Sequence, residues 1–303
     1  MKNLISILCM GLSMLSMGLY GKNGVSGDLR WVGTRPLTDC PVSLGIPFLK
    51  GELEADGRVV LNDRDGADIP SDCWPLAYWP DGSVKWLGVA AVVPGEAEGV
   101  RFETAGKKHK AENRSEAKVR VDEAGSFFRV STGKVEAYVP KRGSCLLDSL
   151  RCEGRTVGGQ AALLCSTQDH PSAGGEAVLH FTDYRGQVER VTVERAGDVR
   201  ALVRIEGRYA NDATGRKWLP FTVRFYFYAG SEQIKMVHSF VFDGDMDRDF
   251  IRSLGIRFEV PMREEVYNRH VAFATADGGV WAERAAFERE AHPDIGRGQR
   301  LAG

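Results

Sequence analysis

Alternation of apolar and polar side chains at every second position is the feature that most constrains this fold. In Phe221–Tyr228 (FTVRFYFY), the phenylalanines and Val223 fall on one face, whereas Arg224 and the tyrosines fall on the other. The same pattern recurs in Val199–Tyr209 and Ile234–Phe242. Successive side chains of a β-strand point to opposite faces, so the pattern predicts strands with one buried face.

Shorter stretches with the same alternation extend this prediction, and turn residues rather than helical patterns separate them. They are Ala117–Val121, Phe127–Ser131, Val135–Val139, Val178–Phe181 and Val191–Glu194. Strands joined directly by turns pair as antiparallel neighbours, whereas parallel strands need long crossover connections. The sequence therefore predicts an all-β protein, in which a small N-terminal β-barrel-like domain is followed by an antiparallel β-sandwich.

A densely charged segment divides the chain into these two domains. Residues 106–117 contain lysines, glutamates and an arginine without apolar periodicity, as is typical of a linker. Residues 25–105 are then the N-terminal β-barrel-like domain, and residues 118–284 are the β-sandwich. Residues 285–303 are polar, and we expect them to form an unfinished tail.

The first 21 residues have the form of a secretory signal peptide. Lys2 gives a basic start, and Leu4–Tyr20 follows without a charged side chain. Ser16 and Gly18 are small residues that suit positions −3 and −1 before a cleavage site, and a cut near Gly21 fits equally well. We expect a secreted or periplasmic protein that has no membrane association once the signal is removed.

The charge balance argues against nucleic acid as a partner. The 303 residues contain 40 basic and 41 acidic side chains, so no basic excess exists to attract phosphates. The six histidines are scattered and form no metal-binding motif. Asp243–Asp249 has carboxylates at alternate positions, a weak indication of Ca²⁺. However, Arg248 and Leu254 occupy the positions where an EF-hand loop needs Gly and Glu, so a polar strand connection and no metal site are favoured.

The cysteines leave two interpretations open. Five of the six follow the signal segment, so at least one thiol is unpaired if no partner chain is involved. Cys40 and Cys73 can pair in an oxidising compartment if the fold brings them together. The favoured interpretation is that the cysteines pack as small buried hydrophobic side chains.

An aromatic-rich segment, Trp74–Leu87, is the best candidate for a binding site. Asp81 and Gly82 lie between two aromatic-rich runs and predict a β-hairpin. Aromatic rings can stack on the C–H face of a sugar while charged groups bind its hydroxyls or a uronate. The candidate substrate-binding residues are Trp74, Tyr78, Trp79, Asp81 and Lys85. The alternative is that these aromatic rings fill the core of the small barrel.

Several segments resemble the exo-rhamnogalacturonan lyases. Pro41–Leu53 (PVSLGIPFLKGEL) and the aromatic segment, with its core WPDGSVKWL, are similar to the N-terminal RIFT-type barrel of that family. The segments that resemble its central β-sandwich are Tyr226–Gly230, Val237–Asp245, Asp249–Pro261, Tyr267–Val271 and Gly278–Glu283. The resemblance implies an exported protein of pectin breakdown by β-elimination at a galacturonosyl–rhamnose link. Family members continue into a catalytic α/α toroid, for which this sequence shows no counterpart.

β-Elimination needs a cation for the uronate, a base for the C5 proton and an acid for the leaving oxygen. Suitable side chains are those of Arg35, Lys50, Tyr78, Lys85 and His238. Nothing in their spacing shows that they converge, and catalytic residues stay unassigned. We therefore expect the β-domain portion of a secreted exo-rhamnogalacturonan-lyase-like protein, without a complete catalytic site, acting on pectic polysaccharide or oligosaccharide. The alternative is a stand-alone carbohydrate-binding or structural β-module.

Overall fold

The computed structural model describes residues 24–95, 97–105, 117–171, 179–274 and 280–284. The predicted signal peptide, almost all of the predicted linker and the predicted tail lie outside the described residues. Described residues 24–260 belong to one compact unit, and those from Pro261 onward belong to a second. The described secondary structure comprises 20 strands and one short 3₁₀ helix, so the all-β prediction is confirmed.

The strands in chain order are β1 Ser26–Leu29, β2 Cys40–Pro47, β3 Arg58–Asn62, β4 Asp68–Ile69, β5 Ser71–Tyr78, β6 Val84–Val93, β7 Val100–Ala105, β8 Arg120–Ala124, β9 Phe127–Ser131, β10 Val135–Pro140, β11 Ser149–Cys152, β12 Arg155–Gly158, β13 Ala161–Gln168, β14 Phe181–Ala196, β15 Arg200–Ala210, β16 Lys217–Tyr228, β17 Ile234–Phe240, β18 Phe250–Phe258, β19 His270–Ala274 and β20 Val280–Arg284. The 3₁₀ helix is Val266–Asn268.

The N-terminal domain consists of two antiparallel sheets around a common core. One sheet has the strand order β1-β7-β3-β4, and the other has the order β2-β6-β5. Strand β6 is the central strand of the second sheet and turns Leu87, Val89 and Ala91 into the core. Its alternate residues, Trp86 and Gly88, lie on the outer face of this sheet, which is the face that carries the candidate site.

The sandwich domain packs a six-stranded sheet against a five-stranded sheet. Their strand orders are β17-β16-β15-β14-β13-β18 and β12-β11-β10-β9-β8. In β16, Phe221, Val223, Phe225 and Phe227 are buried in the core between the sheets, as the alternation predicts. Tyr226 and the other residues between them point to the outer face of the six-stranded sheet, which is therefore polar.

Strand β14 differs from its prediction. The described strand begins at Phe181, where the predicted one ends, and continues to Ala196, so it includes the separate strand predicted over Val191–Glu194. The register with β15 shifts at Val188/Arg190 and at Val193/Arg195. Each shift adds a residue to one strand and reverses the alternation beyond it. One long bulged strand therefore has the sequence pattern of separate short strands.

The cysteines are free in the described structure. Cys40 lies opposite Val93 and Cys73 lies opposite Val89, on the two sides of β6. Two strand spacings and four residues along β6 therefore separate them, well beyond the roughly 7 Å limit between Cα atoms of a disulfide.

The described part of the second unit is an antiparallel hairpin, in which His270 of β19 pairs with Arg284 of β20.

In the described residues, no helix is long and apolar enough to cross a membrane.

Candidate functional site

The end of the β5–β6 hairpin is an ordered turn. Trp79 N–H donates to the Ser83 carbonyl (2.8 Å), and Gly82 adopts a φ of 86°, which a glycine accommodates without strain. The Asp81 carboxylate accepts hydrogen bonds from the Ser83 hydroxyl (2.6 Å) and backbone N–H (3.0 Å). These bonds, with a smaller contribution from the positive charge of Lys50, hold the pKa of Asp81 below its ordinary value. Asp81 is therefore a fixed, charged acceptor at the tip.

The hairpin also brings Trp79 and Lys85 together. The indole N–H of Trp79 donates to the Phe48 carbonyl (3.0 Å), which fixes the ring. The Lys85 Nζ lies 4.5 Å from the centre of the ring, within the range of a cation–π contact. Tyr78, just before Trp79, is 52% exposed. Four of the five predicted residues thus lie at one end of the hairpin, and they present an aromatic surface, a cation and an acceptor.

Two exposed apolar side chains lie on the outer face of the same sheet. Trp86 is 39% exposed and Leu76 is 57% exposed. Both side chains reach toward Gly45 of β2: a Cβ at that position would stand 3.3 Å from the Trp86 ring and 3.6 Å from Leu76. Gly45 therefore leaves room for both. Trp86 is not among the residues predicted to bind substrate, although its alternation with the buried Leu87 indicates an outward side chain.

Trp74 lies elsewhere, about four residues or roughly 13 Å back along β5. Its indole covers Gly88 of β6, where a Cβ would overlap the ring. The guanidinium carbons of Arg195 and Arg200 lie 4.4 and 4.2 Å from the centre of that ring. Trp74 is therefore part of the contact between the barrel-like domain and the sandwich rather than of the hairpin tip.

Hydrogen bonds join the two domains around Trp74. Asp72 Oδ2 accepts the backbone N–H groups of Val199 (2.9 Å) and Arg200 (2.7 Å), at the turn between β14 and β15. Arg200 Nη1 donates to the Ser43 hydroxyl (2.7 Å), which is also hydrogen-bonded to the Tyr228 hydroxyl (2.8 Å). We call the set Ser43, Asp72, Trp74, Arg195 and Arg200 the junction. The sequence contained no signal for it, because its members come from strands far apart in the chain.

The junction concentrates positive charge. Arg200 is 4% exposed, whereas Arg195 is half-buried. Burial lowers the pKa of Arg195, the charge of Arg200 lowers it further, and Asp72 acts in the opposite direction. Two positively charged guanidinium groups therefore lie near one negatively charged carboxylate, that of Asp72.

The Asp243–Asp249 segment and His238 make their described contacts within the sandwich. In the Asp243–Asp249 segment, both oxygens of Asp249 accept hydrogen bonds from Arg216 (2.6 Å each), and Asp243 accepts from Arg208 (3.0 Å). The described part of the chain has no group of three or more His, Cys, Asp or Glu side chains that could hold a metal ion. His238 packs at the sandwich edge against aromatic rings, where burial lowers its pKa.

Comparisons with known proteins agree with the architecture. Residues 25–105 match the PcRGLX-like N-terminal RIFT barrel domain, and residues 119–287 match the PcRGLX-like protein central beta sandwich domain. The chain is similar to the uncharacterized protein YetA of Bacillus subtilis (strain 168), with 31% identity over 258 residues. The match covers 85% of this chain but only 29% of that relative, so the chain spans less than a third of it. The sequence resemblance is therefore confirmed, and the chain belongs to the PcRGLX-like family of rhamnogalacturonan-lyase-like proteins.

Proposed function

We propose that this chain is the β-domain portion of an exported rhamnogalacturonan-lyase-like protein, and that it binds pectic polysaccharide through the β5–β6 hairpin. The observation that carries the proposal is the grouping of Tyr78, Trp79, Asp81 and Lys85 at the hairpin tip, with Trp86 exposed beside them. Membership of the family supports pectin as the source of the ligand.

The chemistry of these side chains suits an acidic polysaccharide. Exposed tyrosine and tryptophan rings offer large apolar faces at a low cost in side-chain entropy. Lys85 is half-buried, its ammonium lies over the Trp79 ring, and this charge can neutralise a uronate. Asp81 is charged and held in place by Ser83, so it can accept hydrogen bonds from sugar hydroxyls.

Native electrophoresis of the full chain through gels that contain rhamnogalacturonan I tests this proposal. We expect the polysaccharide to retard the parent protein, and we expect Lys85→Ala and Trp86→Ala to weaken retardation by about fivefold or more, which corresponds to roughly 1 kcal/mol. Lys134→Ala and Phe181→Ala are matched controls, because both side chains are exposed on the sandwich domain. Failure to retard the parent, or equal loss in the controls, would contradict the proposal.

A structural β-module is the second candidate, and the geometry of Trp79 favours it. The indole N–H is bonded to the Phe48 carbonyl, so this ring also fastens the hairpin to the rest of its domain. If the role is only structural, Trp79→Phe lowers the unfolding midpoint while the parent protein shows no retardation at any polysaccharide concentration.

Export is part of the proposal. We expect the mature protein to begin after a cut between residues 18 and 21, as the small residues there suggest. Mass measurement of the exported protein gives this position directly, and a mature chain that retains Met1 would exclude a cleaved signal.

A further inference from the structure

The junction has more positive charge than its own contacts neutralise. Within the described ranges, no carboxylate lies at ion-pair distance from Arg195 or Arg200. Asp72, the nearby acid, directs Oδ2 to two backbone N–H groups. Arg200 is 4% exposed, and its Nε is buried without a hydrogen-bond partner. Burying an unpaired charge is costly, and an anion bound at the junction would offset that cost.

The two arginines differ in their access to solvent. Arg200 is held by Ser43 and by the Trp74 and Tyr226 rings, at 4.2 and 5.5 Å from their centres. Arg195 is half-buried, contacts Trp74 and keeps its guanidinium available for a planar acceptor. A guanidinium matches a carboxylate in geometry and can bind it through two parallel hydrogen bonds. Arg195 is therefore the guanidinium that solvent can reach. The positive charge of Arg200 adds to the electrostatic attraction for an anion.

An apolar platform lies beside this charge. Trp86 and Gly88 lie two residues apart on the same face of β6, a separation of roughly 7 Å. Trp74 covers Gly88, and Arg195 contacts Trp74, so the exposed Trp86 ring and the Arg195 guanidinium flank one short stretch of the surface. The arrangement suits a ligand that has an apolar ring face and a carboxylate on the same small unit.

We propose that Arg195 of the sandwich binds the carboxylate of a uronic acid whose pyranose ring lies on Trp86 of the barrel-like domain. This inference rests on the proposed binding of pectic polysaccharide and assigns part of it to both domains. The hairpin tip then contacts neighbouring sugars of the polysaccharide, whereas the junction recognises the carboxylate of the uronic acid.

The alternative is that Arg195 and Arg200 only join the two domains and bind no ligand. Nuclear magnetic resonance of the full chain distinguishes this structural role from uronate binding. The probes are sodium galacturonate and, as the neutral control, galactose. We expect saturable shifts of the Arg195 Nε–H and the Trp74 indole N–H signals with galacturonate and no comparable shifts with galactose. Arg195→Gln is expected to abolish the shift at Trp74, and Arg195→Lys is expected to retain part of it.

Arg190→Gln is the matched control, because Arg190 lies on the same strand but pairs with Glu206 (2.8 Å). It should leave the galacturonate shifts unchanged. Equal shifts with galactose, absence of a shift with galacturonate, or an unchanged response in a folded Arg195→Gln variant would overturn the inference. Retardation by the polysaccharide without any response at the junction would leave only the hairpin proposal standing. A response at the junction without retardation would instead contradict the hairpin proposal.

Discussion

Gly88 shows how one residue shapes the junction. A side chain at this position of β6 would overlap the Trp74 indole, so a glycine lets that ring lie against the strand. The ring in turn contacts Arg195 and Arg200 of the sandwich. The absence of a side chain at one position therefore determines where an aromatic residue and two cations meet.

We expect Gly88→Ala to destabilise the protein by about 1–3 kcal/mol, because the added methyl group displaces Trp74 from a packed position. Urea unfolding measures the change. Gly255→Ala is the matched control: Gly255 is also in a strand, but within the described part of the chain no atom beyond its two sequence neighbours lies within 4 Å of the added Cβ. Equal unfolding midpoints for Gly88→Ala and the parent would show that Trp74 is not held against Gly88.

Asp249 gives a prediction for the dependence of stability on pH. Arg216 donates two hydrogen bonds to this buried carboxylate, and the pKa of Asp249 consequently lies below its ordinary value. A carboxyl group whose pKa is lower in the folded state stabilises the fold above its unfolded pKa, about 3.9. That contribution is lost as the pH falls from about 4 through the lower folded pKa.

Asp249→Asn should therefore lower the free energy of unfolding by about 2–4 kcal/mol at neutral pH, because it removes the negatively charged partner of Arg216. Its stability should also decline less steeply than that of the parent below about pH 4. Denaturant unfolding across a pH series measures both effects, with the exposed Asp247→Asn as the control. Parallel acid profiles for Asp249→Asn and the parent would contradict this role.

At the scale of elements, the turn between β14 and β15 connects the two domains. Its backbone N–H groups at Val199 and Arg200 are bound by Asp72 of β5. We expect Asp72→Ala to leave two buried donors unsatisfied, at a cost of about 1–3 kcal/mol for each lost partner. Differential scanning calorimetry should show a lower midpoint and earlier unfolding of one domain.

Asp68→Ala is the control for that substitution, because Asp68 is exposed and accepts only from Asn62 (2.7 Å) among its described hydrogen bonds. It should unfold like the parent. An unchanged thermogram for Asp72→Ala would mean that the junction does not couple the domains.

The elements also show how far sequence reasoning extends. Strands β9, β10 and β15–β17 were predictable, because each contains a run of at least five residues in which more buried and less buried side chains alternate. The bulges of β14 reverse the alternation, and the single strand was therefore predicted in pieces. Asp81 and Gly82 predicted the hairpin, and local turn geometry then placed Trp79 beside Lys85. The contact of Trp74 with Arg195 links residues more than a hundred positions apart, which no local pattern encodes.

At the scale of the whole molecule, one outer surface extends from the hairpin tip across the barrel sheet to the junction with the sandwich. Its aromatic rings come from the barrel-like domain, whereas Arg195 and Arg200 come from the sandwich. Recognition of an acidic saccharide would therefore depend on both domains being folded together. The candidate groups for β-elimination do not all share this surface, since Tyr78 and Lys85 lie at the hairpin tip, whereas His238 lies at the aromatic edge of the sandwich.

The most direct test of the central claim is calorimetric titration of the full chain with a rhamnogalacturonan I oligosaccharide, and with the same oligosaccharide after reduction of its carboxyl groups. We predict saturable binding of the acidic form and binding about tenfold weaker for the reduced form, a difference of about 1.4 kcal/mol. No binding of either oligosaccharide, or equal affinity for both, would contradict the claim that this surface recognises an acidic pectic sugar.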